Sequence, residues 1–230
     1  MRDKGIRGIV IKLGNMLRHF YEAEDLLVFG SGYSLALASY KAMECGKTGM
    51  EFAVGIPGSI GGAVYMNAGA YDGEMQNIVN CVKVMDLQGN ERVLTAEELN
   101  FGYRKTSLQN SGLIVTEVTL KMPSGNKDEI KSKMDDFSHR RISKQPLEMP
   151  SAGSMFKRPP GYFAGTLIDQ AGLKGYTVGG AQISTKHAGF VVNVGGATAA
   201  DVLQLIKDVQ TKIKAGVGVE LQPEVLVIGE

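Results

Sequence analysis

The chain has 230 residues, 43% of them apolar and 21% charged, with a formal net charge of +1. That balance excludes a disordered chain and gives no electrostatic footing for a nucleic-acid or membrane partner. Two distant cysteines, Cys45 and Cys81, exclude a disulfide framework and fit a reducing cytoplasm, and three scattered histidines predict no metal centre.

Taken in chain order, residues 6–13 (IRGIVIKL) and 26–30 (LLVFG) predict short strands. No apolar leader follows Met1, and no apolar run is long enough to span a bilayer. Residues 33–45 predict a helix, with Gly46 as its C-terminal stop. A glycine-rich stretch, 55–70, comes next. Residues 78–86 and 91–95 read as a hairpin about Gln88-Gly89-Asn90, and 113–121 as a further strand. From Asp128 the period changes: Ile130, Met134 and Phe137 fall on one helical face. Pro146 and Pro150 end that helix and mark a domain boundary. Beyond it come a short helix at 163–172 and a strand at 189–194. A helix opened by a capping box at Thr198–Asp201 carries Val202, Leu205, Ile206, Val209 and Ile213 on one face, and a closing strand follows at 224–228. The class is α+β, without clean βαβ alternation.

The stretch GIPGSIGGAVYMNAGA (55–70) is too poor in side chains to build a core. Glycine lacks a Cβ and accepts positive φ, so such a run lets main chain lie close to a flat or phosphorylated group, with its amides suited to an anion. It lacks the G-x-G-x-x-G spacing of a dinucleotide fold, and no Lys-Ser/Thr follows as in a P-loop. On residues alone, a tight structural turn and a phosphate-bearing cofactor site both stand.

That stretch resembles the flavin-binding loop of the UDP-N-acetylenolpyruvoylglucosamine reductases, the MurB family. Further similar segments follow in order: LNFGYRKTSL (99–108), RRISKQP (140–146), PSAGSMFKRP (150–159), DQAGLKGYTVGGAQISTKHAGFVVN (169–193) and LQPEVLVIG (221–229). The resemblance implies an FAD-binding domain of the PCMH/MurB type over 1–145, partial at its N-terminus because family members begin with a further lobe. A smaller α+β substrate-binding domain follows over 146–230. It also implies FAD as cofactor, NADPH as co-substrate, UDP-N-acetylglucosamine enolpyruvate as substrate and a cytoplasmic location.

Residue by residue, the resemblance assigns Arg104, Ser154 and Glu224 as the catalytic trio. A guanidinium grips a carboxylate through two parallel bonds; a hydroxyl protonates a carbanion only in a water-poor site; a carboxylate beside them pairs with the arginine, orients a water or is partly protonated by the crowding. For the flavin it implies Gly55, Ile56, Pro57, Gly58, Ser59, Gly61, Gly62 and Asn67, with Ile114 covering the ring. For the diphosphate of the UDP-sugar, Arg141 and Lys144 at the end of the 128–142 helix are the cationic candidates, with Lys157, Arg158 and Tyr162 weaker, and Tyr103 packs on the flavin or in the core. A flavin oxidase of the same cofactor fold and a UDP-sugar binder without flavin are the alternatives. The trio argues against the oxidase, which has no carbanion to protonate.

Overall fold

Phe20–Ala23 (β1) and Leu26–Gly30 (β2) form a hairpin in the computed structural model, which describes residues 1–230. Glu24 turns it with a φ of 54°. The chain divides into two compact units, residues 11–141 and residues 142–230 together with 1–10.

In residues 11–141, β2 leads to helix α1 (Leu35–Glu44), capped by the Ser34 hydroxyl. Gly46 follows with a φ of 67°, the left-handed stop that the sequence predicts. After a 3₁₀ turn at Glu51–Ala53 comes the short helix α2 (Ile60–Tyr65), capped by Ser59. A small hairpin joins β3 (Gly69–Ala70) to β4 (Gly73–Glu74). Then β5 (Val79–Met85), β6 (Glu91–Thr95) and β7 (Ile114–Lys121) complete an antiparallel five-stranded sheet in the order β1-β2-β7-β5-β6. Alternation sends Leu27, Phe29, Val82, Val84, Val118 and Leu120 into one core with Leu35, Ala38, Ile60 and Val64 of the two helices. Helix α3 (Lys127–Lys144) buries Ile130, Met134 and Phe137 against Val54, as its period predicts.

In the other unit, β8 (Ser151–Ser154), β9 (Thr177–Val178), β10 (Ala181–Ile183) and β11 (Phe190–Asn193) pair antiparallel in the order β8-β11-β10-β9. Helices α4 (Ala164–Gln170) and α5 (Ala199–Val217) share a core with this sheet through Leu167, Ile168, Leu205, Ile206, Val209 and Ile213. The first residues belong here: the Arg2 and Lys4 amides donate to the carbonyls of Ile228 and Glu230, each at 2.9 Å, and Asp3 accepts from Ala199 N at the start of α5.

Two predicted strands are absent. Residues 6–13 join no ladder and bend at Gly8, with Ile9, Val10 and Ile11 exposed, and 224–228 forms no strand, a bridge at Pro223–Phe156 standing just before it. Alternation yields a strand only where a neighbour supplies a continuous ladder, and 6–13 has no such neighbour while 224–228 has only isolated bonds, from Glu224 N to Met155 C=O and from Arg2 N to Ile228 C=O. Conversely β1, β8, β9 and β10 went unpredicted, being too short and too polar or small in composition to show a period.

The capping box of α5 is complete: Asp201 Oδ2 accepts from Thr198 N at 2.9 Å, and Thr198 Oγ1 accepts from Asp201 N at 3.1 Å. The Thr198 amide, helped by its hydroxyl, holds the Asp201 carboxyl below the usual range. A depressed native pKa contributes stability above the unfolded value of about 3.9 that is lost as the pH falls through the folded one. Asp201→Asn therefore melts below the parent at neutral pH, and the gap closes as both are titrated below about pH 4. Parallel melting curves across that range contradict the assignment.

Candidate functional site

The glycine-rich segment is set from behind. The Glu51 carboxylate, buried at 3% exposure, accepts from Thr48 Oγ1 at 2.6 Å and Gly49 N at 2.8 Å, fixing the turn that leads into it. Gly55 and Gly58 then take φ of 72° and 117°, which only glycine adopts without strain. Gly55, Pro57, Gly58 and Gly62 are exposed, while Ile56 and Ser59 are half-buried. Gly61 is buried, because α2 lies on the end of β2: its amide donates to Ser31 C=O at 2.9 Å, and a Cβ there would stand 2.7 Å from that of Ser31. Gly61 is thus a packing residue rather than a contact surface.

Beside this segment lies a cleft of about 610 Å³. Its walls include Lys12, Arg18, Tyr33, Ser34, Gly58 and Ser59. Two cations therefore face two turns that each open a helix under a serine cap, an arrangement suited to a diphosphate. A Cβ on Gly58 would meet nothing within 4 Å, so there is open space above the main chain. Ser31 Oγ, wholly buried where β2 meets α2, has no hydrogen-bond partner. These features fit a bulky diphosphate-bearing cofactor. The sequence reading missed Lys12, Arg18, Tyr33 and Ser34; a possible helix cap at Ser34 was the one local signal among them.

Arg104 is seated against the far end of the same segment, at Asn67 and Gly69. It occupies a tight turn closed by Gly102 N to Lys105 O at 2.9 Å and Lys105 N to Gly102 O at 3.1 Å, with a φ of 54°. Its Nη2 donates to Gly69 C=O at 3.1 Å and its Nη1 to Asn67 C=O at 3.5 Å. The half-exposed Tyr103 ring lies 5.1 Å from the guanidinium carbon. Asn67 differs from expectation: it is fully buried, and its amide Nδ2 is committed to Glu74 Oε2 at 3.1 Å and Gly102 C=O at 3.0 Å, while Oδ1 accepts from Gln76 N at 3.0 Å. Its side chain braces the loop from within instead of offering the amide to a ligand.

Arg141 also reaches the glycine segment. A Cβ on Gly55 would stand 3.0 Å from Arg141 Cδ, and the guanidinium lies 5.7 Å from the Tyr71 ring centre. Tyr71 is stacked on Phe137 at 4.4 Å. Ile114 opens β7 opposite Met85 and is half-buried.

Within the other unit, Ser154 ends β8 opposite Phe190 and is exposed. Glu224 N donates to Met155 C=O at 2.8 Å, and Lys157 N donates to Gln222 C=O at 2.8 Å. The chain at 222–224 thus runs alongside 155–157 and brings Glu224 next to Ser154. Gly153, with a φ of 84°, turns the strand between Ser151 and Ser154, and its amide donates to Ser151 Oγ. Arg158 stacks 4.0 Å over Phe163, Lys157 is half-buried, and Lys144 and Tyr162 are exposed.

Comparison with known proteins accounts for both units. A family model described as an FAD binding domain matches residues 2–95, and one described as the C-terminal domain of UDP-N-acetylenolpyruvoylglucosamine reductase matches 145–228. The chain is 52% identical over 229 residues to the UDP-N-acetylenolpyruvoylglucosamine reductase of Clostridium perfringens strain 13, covering 100% of this chain and 75% of that protein. It is 48% identical to the protein of that name from Caldanaerobacter subterraneus subsp. tengcongensis, over 99% of this chain and 75% of the relative. The crystal structure of the Thermus caldophilus reductase superposes with a TM-score of 0.75 at 42% identity, covering 86% of this chain and 71% of that one. With both halves matched and relatives of this identity spanning it end to end, the chain belongs to the UDP-N-acetylenolpyruvoylglucosamine reductase family.

Proposed function

We propose that the chain is an FAD-dependent, NADPH-consuming reductase that converts UDP-N-acetylglucosamine enolpyruvate to UDP-N-acetylmuramate, a cytoplasmic step of peptidoglycan precursor synthesis. No helix is long and apolar enough to cross a membrane. The observation that carries the reading is the seating of Arg104 on Gly69, which joins a permanent cation to the segment that lines the anion-suited cleft. We assign residues 1–145 to the cofactor and 146–230 to the UDP-sugar.

Lys12, Arg18 and the turns at Ser34 and Ser59 would hold the diphosphate of FAD, and the bare main chain at Gly55, Ile56, Pro57, Gly58 and Gly62 would lie along the flavin, with Ile114 covering the ring. FAD supplies hydride transfer in both directions, first from NADPH and then to the β-carbon of the enol ether. Addition there leaves negative charge at the α-carbon, spread into the conjugated carboxylate. Arg104 binds that carboxylate and stabilises the charge as it grows. Ser154 delivers the proton to the α-carbon, and Glu224 beside it orients the donor. Arg141, Lys144, Lys157 and Arg158 serve the diphosphate of the sugar nucleotide, and Tyr103 flanks Arg104.

The test is direct. The purified chain, reconstituted with FAD, bleaches in its visible flavin band under NADPH without air, and the colour returns on adding the enolpyruvyl sugar. Recovery with air alone, indifferent to that sugar, makes the protein an oxidase and overturns the reading.

A further inference from the structure

We propose that Gln109 is a positioning residue for Arg104, setting where the guanidinium meets a carboxylate; the inference rests on the role given to Arg104 above.

The backbone of Arg104 is left-handed, which an L-residue with a long side chain adopts only when its surroundings over-determine it. Three side chains do so. Asn67 Nδ2 holds the leading edge of the turn through Gly102 C=O at 3.0 Å. Thr106, buried just past the turn, donates through Oγ1 to Tyr65 C=O at 2.8 Å. Gln109 Nε2 donates to Arg104 C=O at 3.1 Å and also lies 3.3 Å from Tyr65 C=O.

Tyr65 is the last residue of α2, so its carbonyl is among those a helix leaves without an internal partner. Gln109 therefore spans two points that matter together: the end of the helix that follows the glycine segment, and the peptide of the arginine itself. Both of its bonds need an N–H. Glutamate, of the same shape, would present oxygen to two carbonyl oxygens, and leucine would leave both carbonyls without this donor. Thr106 still ties the turn to α2 in either case, so the loop keeps its anchor while the Arg104 peptide loses its own.

A positional error of about 1 Å in such a group costs on the order of 10²-fold in rate. The experiment uses FAD-loaded protein and compares Gln109→Glu, Gln109→Leu and the milder Gln109→Asn, whose amide is too short to reach Arg104. Calorimetry measures affinity for UDP-N-acetylmuramate, which carries the carboxylate, and for UDP, which does not. The expected result is a loss of about tenfold or more for the first ligand with UDP unchanged. Reduction by NADPH stays unchanged, and reoxidation by the enolpyruvyl sugar slows on the order of 10²-fold. Parallel loss of both ligands together with a lower melting point, or no loss of either, overturns the inference. Arg104→Ala is the control. If it shows the selective loss and the Gln109 variants do not, this inference alone fails; if Arg104→Ala shows none, the role of Arg104 fails first.

Discussion

Ser154→Ala leaves reduction of the flavin by NADPH at the parental rate and slows reoxidation by the enolpyruvyl sugar by about 10²–10⁴-fold, the range expected for losing a placed proton donor. Only the second half-reaction protonates carbon, so the two rates must separate. The substitution is gentle to the fold: Ser154 is exposed at the end of β8, and its pairing with Phe190 uses main chain. Stopped-flow absorbance measures each half alone. Equal slowing of both would remove Ser154 from the proton step. Ser151 is the built-in control, because its hydroxyl accepts from Gly153 N and so shapes the turn; Ser151→Ala is expected to lower both rates modestly and together.

Gly61→Ala is expected to weaken FAD binding severely and to lower the melting point. The new methyl would stand 2.7 Å from Ser31 Cβ and 3.0 Å from Ser31 O, and the carbonyl is fixed by the Gly61 amide. Overpacking of this kind costs about 1–3 kcal/mol, met by pushing α2 off the end of β2. That movement carries Ser59 and Gly58 out of the cleft wall, so the same strain appears as a loss of FAD affinity of roughly five- to 150-fold. Gly62→Ala separates packing from contact. Its Cβ would meet only Ser59 Oγ, at 3.4 Å, so the apoprotein keeps its stability, and any loss of affinity there reports a methyl against the cofactor. Titration of apoprotein with FAD, alongside melting of the apo form, distinguishes the two. An unchanged melting point for Gly61→Ala would mean that α2 is not clamped to β2 as described.

What the residues disclosed depended on whether the signal was local. Helices α3 and α5 show their buried faces in the sequence because each is long enough for a 3.6-residue period to repeat. Gly46 and the Thr198–Asp201 box were legible because caps are chemistry between neighbours. The strand at 6–13 was overread for the opposite reason: its apolar run is strand-like, but pairing is a property of two segments, and none ladders with it here. The glycine segment announced close approach correctly. It did not disclose that Gly61 serves Ser31 and that Asn67 faces inward, since both depend on what α2 lies against. Arg104 was legible by family resemblance alone; nothing in Tyr-Arg-Lys-Thr predicts a left-handed arginine, because arginine is a poor choice for that conformation. The cleft cations Lys12 and Arg18 have no pattern at all among 25 lysines and arginines.

The contact between residues 1–10 and the segment at 228–230 bears on the order in which the fold closes. Arg7 and Glu230, an ion pair at 3.4 Å, are 223 positions apart. At about 5–20 residues per second, a ribosome needs roughly 10–45 seconds to travel from one to the other. Residues 11–141 hold all five strands of their sheet and can close while translation continues. Residues 2–5 cannot dock until 228–230 have been made, because their main-chain partners are the Ile228 and Glu230 carbonyls and the Glu230 amide. During that interval residues 2–5 lack these main-chain partners, and any delay late in the message lengthens it.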